Sequence, residues 1–158
     1  MSLSYDELTK FVADLAANAE CWRDRVRHDP SRRIYELLWD DETVNAWLIC
    51  WSQDDDTGFH DHDASAAAVT VIEGYVREDR LRLNGEPRVK VSGPGAIITI
   101  PPSAIHRVLH VGDVPAVTIH AYSPPLIRTG AYLVGDDGEL LREAQDGAEE
   151  LRAEVVLH

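Results

Sequence analysis

The chain of 158 residues is poor in cysteine: only Cys21 and Cys50 occur, with no Cys-x-x-Cys spacing. That excludes a disulfide framework and fits a reducing compartment. Apolar runs long enough to span a bilayer are absent, and the opening Met1-Ser2-Leu3-Ser4-Tyr5-Asp6-Glu7 lacks the basic and then apolar regions of a leader peptide. The expected location is therefore the cytoplasm, with no membrane attachment. Positive charge is scarce as well. Fifteen Lys and Arg face 28 Asp and Glu, a formal charge of -13, which repels phosphate backbones and anionic lipids. The densest basic stretch, Arg23 to Arg33, is interrupted by Asp24, His28 and Asp29, so no nucleic acid is expected as a partner. Gly93-Pro94-Gly95 is followed by no Lys-Ser/Thr and reads as a turn, not a phosphate loop. Internal repeats and linkers are missing too.

What remains is an ordinary globular composition, 44% apolar and 27% charged, of a length that suits one domain. Behind a Ser4-x-x-Glu7 capping box, Leu8, Phe11, Val12, Leu15, Ala16 and Ala19 recur at helical spacing, and a second short helix is expected over 20–27, before Pro30. From Arg33 the texture changes to short alternating or apolar segments: Ile34 to Trp39, Val44 to Trp51, Ala66 to Ile72, Tyr75 to Leu83, Val89 to Val91, Ala96 to Ile100, Arg107 to Val111 and Ala116 to Tyr122. Asp40-Asp41, Asn84-Gly85, Gly93-Pro94-Gly95 and Gly112-Asp113 separate them. A further hairpin is expected from Ala131 to Leu141 around Asp136-Asp137-Gly138, and an edge strand over Ala153 to Leu157. The reading is all-β, a sandwich or barrel. Residues 1–32 form a helical segment packed on a β domain over 33–158, one domain overall.

Five of the seven histidines fall in the β-rich part. In Gly58-Phe59-His60-Asp61-His62 the two imidazoles are two residues apart, so a strand presents them on one side. A third, His106, follows Pro101-Pro102-Ser103-Ala104-Ile105 and would complete a facial metal set with open positions. For His28 and His158 a surface role is expected. Trp22, Trp39, Trp47 and Trp51 are expected in the core or a pocket wall, Cys50 in an apolar strand, and Asp54-Asp55-Asp56 in a solvated loop near the site mouth.

These motifs resemble the cupin superfamily. His60, His62 and Gly74 match its first motif, and Gly95, Pro101 and His106 its second. Asp54 stands where the first motif has Gly, and Ala67 where it has Glu. Without that carboxylate, three neutral imidazoles leave a divalent ion its full charge, which favours an anionic ligand such as a thiolate.

Within the cupins, Cys50-Trp51, His106-Arg107-Val108 and Thr118-Ile119-His120-Ala121-Tyr122-Ser123-Pro124-Pro125 are similar to the cysteine dioxygenase family, over about residues 33 to 128. The resemblance implies a cupin fold, a small jelly-roll barrel with short N-terminal helices. It implies Fe(II) held by His60, His62 and His106, and Thr118, His120 and Tyr122 as an outer hydrogen-bonded triad. The substrates it implies are a small thiol and dioxygen, and the product a sulfinic acid. Alternation agrees, since residues 118, 120 and 122 share one face of a strand. The cysteine that crosslinks to the tyrosine in animal members is Ala67 here, so no Cys-Tyr crosslink is expected.

The family's carboxylate-clamping Arg, in a Tyr-x-Arg context, aligns with Leu37 after Tyr35-Glu36. Free cysteine is thus in question as substrate, and Glu36 would suit a cationic group. Arg33, Tyr35 and Arg128 stand as substrate-contact candidates, with Arg107 behind them. Two other readings stay open: a metal-dependent cupin acting on a non-thiol substrate, and a non-catalytic small-molecule-binding cupin. The oligomeric state has no signature in the sequence.

Overall fold

The structure, a computed structural model, describes residues 2–146; His158 and the expected strand over Ala153 to Leu157 lie outside the described residues. Ser4 opens the first helix. Its hydroxyl accepts from the Glu7 N–H at 3.2 Å while the Glu7 carboxylate accepts from the Ser4 N–H at 2.7 Å, so the capping box forms as expected. Helix α1, Tyr5–Ala17, turns Leu8, Val12 and Leu15 inward. The single helix expected over 20–27 is instead two one-turn 3-10 segments, Ala19–Cys21 and Arg23–Arg25. Trp22 lies between them at φ -135°, its indole N–H bonded back to the Ala16 carbonyl at 3.1 Å, and this breaks the α-helical path.

Eleven strands follow: β1 Ile34–Asp40, β2 Asn45–Trp51, β3 His60–Asp61, β4 Ala66–Glu73, β5 Tyr75–Arg80, β6 Arg88–Ser92, β7 Ile97–Ile100, β8 His106–Val111, β9 Ala116–Ser123, β10 Arg128–Val134 and β11 Leu140–Asp146. They form two antiparallel sheets, one ordered β1-β2-β9-β4-β7 and the other β11-β10-β3-β8-β5-β6. Ile49, Trp51, Val71 and Ala116 of the first sheet pack with Val76 and Val108 of the second, which places this core between the sheets. The other face of the first sheet, through Leu48, Cys50, Ala68, Val117, Ile119 and Ala121, packs under α1. Strand β9 is consequently buried on both faces and paired on both edges, and all eight of its residues are buried.

Two backbone positions follow from the cupin pattern. Gly74, at φ 70°, joins β4 to β5; a Cβ there would lie 2.7 Å from the Pro115 carbonyl oxygen and 2.8 Å from the Ala116 Cα, so the turn requires glycine. Asp54, in place of the motif's glycine, takes the same left-handed region at φ 71°. Two expectations change. Trp39 is 47% exposed, edge-on to Phe11 at 5.7 Å with its indole N–H bonded to Asp41, because it sits on the outer strand of the sheet. Asp55 is buried and accepts from the Ser52 N–H at 2.7 Å, so only part of the acidic loop is solvated. Among the described residues no helix is long and apolar enough to cross a membrane.

Candidate metal centre

His60 and His106 are direct partners across the β3–β8 ladder, and His62 follows two residues after His60. Their rings converge, with centroids 4.7 Å apart for His60 and His106, 5.0 Å for His60 and His62, and 5.1 Å for His62 and His106. The His60 and His62 Nε2 atoms are 3.2 Å apart, and those of His62 and His106 are 3.4 Å apart. Three nitrogens each about 2.1 Å from one ion and roughly 100–110° apart would have this spacing. All three side chains are buried.

In His60 and His106 the outer nitrogens explain why the inner ones carry lone pairs. His60 Nδ1 lies 2.9 Å from the Gly58 carbonyl, which can only accept, so Nδ1 holds the proton and Nε2 is bare. His106 Nδ1 donates to Glu78 at 2.7 Å. Burial lowers the His106 pKa to about 3, against the opposing pull of Glu78, so the ring is neutral. Burial raises Glu78 in turn, but bonds from His106 and Arg80 more than reverse this and hold it below the usual carboxylate range. Bare imidazole lone pairs facing one another repel, and a divalent cation relieves that repulsion, so the donor set fits a metal. Glu78 supplies one negative charge just outside the set, partly replacing the carboxylate absent at Ala67.

Beside this cluster the edge of Tyr122 meets His62, with ring centroids 5.1 Å apart. Thr118, His120 and Tyr122 all lie on the inner phase of β9. Tyr122 stands directly opposite Ala67 on β4, where the small methyl leaves the phenol room. The Tyr122 hydroxyl is 3.4 Å from His120 Nδ1, and His120 Nε2 is 2.9 Å from Thr118 Oγ1. The row continues further than expected. Trp51 donates its indole N–H to Thr118 Oγ1 at 2.8 Å and stacks on His120, and the Arg33 guanidinium lies 5.5 Å from the Trp51 ring centre.

The cysteine dioxygenase type I family model matches residues 2–133. The chain belongs to the cysteine dioxygenase type I family. It is 28% identical over 137 residues to cysteine dioxygenase type 1 of Danio rerio, spanning 78% of this chain and 67% of that protein. Among solved structures, the fold is similar to a double-stranded β-helix protein of Klebsiella pneumoniae, 14% identical, with a TM-score of 0.58 over 79% of this chain and 88% of that one. It is also similar to an RmlC-like cupin of Desulfovibrio desulfuricans, 24% identical, with a TM-score of 0.54 over 63% of this chain and 90% of that one. The all-β cupin expectation is borne out.

For a cysteine dioxygenase relative the space at the centre is small. The cavity bounded by the three histidines, Ile49, Thr57, Val108, His120 and Tyr122 has about 10 Å³, barely the space that one water needs. A cleft of about 210 Å³ adjoins it through His62, with largely apolar walls of Ala64, Pro124, Pro125 and Ile127, and with Arg128 on its rim. Of the substrate-contact candidates, Arg128 is the one that lines a cleft together with His62. Arg33 is buried behind Trp51, and Tyr35 packs against Trp47 at 6.0 Å. Leu37 is exposed and Glu36 is paired with Arg27 at 2.9 Å, so neither faces the histidines. Arg107 is tied to Asp79 at 2.8 Å and lies over Phe59.

Sequence reasoning passed over Glu78 and Asp61. The signal for Glu78 was its phase: on β5 it shares the inward side with Val76, and an acid on a buried face needs a partner. Asp61 lies between the two histidines of the tripeptide and accepts from Tyr132 and Arg142. Burial raises its carboxyl, and these bonds with the Asp63 N–H bring it down to about 2.

Proposed function

We infer that this protein is a non-haem Fe(II) thiol dioxygenase that converts a small thiol to its sulfinic acid. Both atoms of one dioxygen are transferred to sulfur, so RSH and O2 give RSO2H with no further reductant. The observation that carries the reading is the convergence of three buried Nε2 atoms, at 3.2 and 3.4 Å, directly beside the Tyr122–His120–Thr118 row. Iron held by His60, His62 and His106 would supply the redox centre and favour the thiolate form of the substrate.

The chain's own residues divide the remaining work. Thr118 Oγ1 accepts the Trp51 indole proton and passes its own proton toward His120 Nε2. His120 then carries its proton on Nδ1, facing the Tyr122 oxygen, and the phenol proton is directed at the histidine cluster. Tyr122 can therefore donate to whatever oxygen or polar group lies there, and the 3.4 Å bond would tighten when it does. Val108, Ile49 and the histidine rings leave no room for bulk water.

The two volumes bear on the substrate. A thiol reaches the cluster by its sulfur end while its body lies in the cleft of about 210 Å³, against Pro124, Pro125 and Ile127. Arg128 at the rim suits an anionic end group. The test is anaerobic loading with Fe(II), then dioxygen uptake and mass analysis of sulfinate with cysteine, cysteamine, 3-mercaptopropionate and mercaptosuccinate. One sulfinate per dioxygen with an acidic thiol, and no uptake by His106→Ala, is the expected result. Uptake without sulfinate would favour a cupin acting on a non-thiol substrate. Preference for cysteamine would remove Arg128 from the substrate site.

A further inference from the structure

The tripeptide bearing two of the three histidines sits on the shortest strand. β3 is only His60–Asp61, and its ladder partners are Gly130 and Ala131 on one side and His106 on the other. His62 lies beyond the strand, followed by Asp63 in the left-handed region at φ 55°. So short a ladder leaves the aim of the two rings to what surrounds the strand: the Gly58 carbonyl on His60 Nδ1, and the side chains that hold Asp61 between them.

Alternation sends Asp61 to the opposite side of the strand from His60 and His62. There its carboxylate receives the Tyr132 hydroxyl at 2.6 Å, Arg142 Nε at 3.0 Å, Arg142 Nη2 at 3.1 Å and the Asp63 N–H at 2.9 Å. Two carboxylate oxygens offer about four acceptor positions, so the group is saturated. Arg142 also reaches Asp63 at 3.3 Å and so spans His62 from both sides. It comes from β11, with β10 lying between it and β3. Gly130 opens that path: a Cβ there would lie 2.6 Å from the Arg142 Cζ and 2.7 Å from its Nη2.

We propose that Arg142 and Tyr132, acting through Asp61, are positioning residues for His60 and His62. The hairpin β10–β11 then sets metal affinity and geometry from outside the cavity, and Gly130 is the gap that lets it do so. The inference rests on the reading of the three histidines as metal ligands.

The test is titration of the metal-free protein with Co(II), followed by visible absorption, at a temperature where every variant is folded. Arg142→Met deletes the clamp, whereas Gly130→Ala keeps the arginine and displaces its guanidinium. Both should bind Co(II) about tenfold or more weakly and shift its d–d bands, with Tyr132→Phe between them and the unsubstituted protein. Should Arg142→Met fail to fold, Gly130→Ala decides. Lower melting temperatures with unchanged affinity and bands would overturn the proposal and leave the metal reading standing. No Co(II) binding by the unsubstituted protein, as with His106→Ala, would overturn the metal reading itself.

Discussion

The two sheets hold their functional groups by opposite means. In the six-stranded sheet the three histidines sit among ionised pairs: Glu78, which His106 meets directly, with Arg80, Asp79 with Arg77 and Arg107, and Asp61 with Arg142. In the five-stranded sheet the row from Trp51 to Tyr122 is joined by its own hydrogen bonds and stands on a strand packed by apolar neighbours and the α1 layer. Charge-assisted hydrogen bonds are short and directional, but each depends on both partners. Packing is less directional and tolerates the loss of one atom. The metal side should therefore respond to changes of charge and pH, and the tyrosine side to changes of shape.

The largest expected effect on the metal site is that of Glu78→Ala. It leaves the buried His106 N–H without its acceptor and the partly exposed Arg80 with its bond to the Thr99 carbonyl, at a cost of about 2 kcal/mol, and frees the His106 ring. A lower denaturation midpoint together with loss of Co(II) binding is expected; an unchanged midpoint would break the contrast between the sheets.

Acid comes next. In the folded chain Asp61 is brought down to about 2 from 3.8, and Asp79 is lowered too: burial raises it, and Arg77 and Arg107 more than offset that. The unfolded chain thus binds more protons between those values, and stability rises with pH there. The metal-free protein should lose up to about 1.4 kcal/mol per carboxyl for each pH unit crossed below about 4. Urea melts from pH 5 to pH 2 would show it, and Asp79→Asn should reduce the loss while lowering stability at neutral pH.

Trp51→Phe, on the packed side, has the smallest expected effect on the metal site. It keeps a ring against His120 but removes the N–H to Thr118 and leaves a cavity in place of the second ring of a fully buried indole, at about 2–3 kcal/mol of stability. Metal affinity should stay unchanged while the pH profile of turnover moves. A loss of metal affinity would show that the two sheets are not separable.

Much of this was legible because it rests on period and spacing. Strand alternation alone put residues 118, 120 and 122 on one face, and the His-x-His pair with a distant His106 is the histidine cluster that the fold assembles. The all-β pattern and the capping box follow from local rules as well. What escaped depends on contacts between distant segments. Glu78 and His106 are 28 positions apart, and Asp61 and Arg142 are 81 apart, and no local pattern pairs them. Trp51 was expected as wall material because its apolar area outweighs its one N–H in any sequence reading. Leu37 and Glu36 looked relevant by alignment, yet β1 is an outer strand and Glu36 meets Arg27 instead.

Strand β9, enclosed on every side, has a consequence for time rather than place. Its amide protons can exchange with deuterium only when the whole sheet opens, whereas the two residues of β3 can exchange in a local excursion. The row ending at Tyr122 thus persists for as long as the molecule stays folded, while the short strand that carries His60 can open and close within that lifetime.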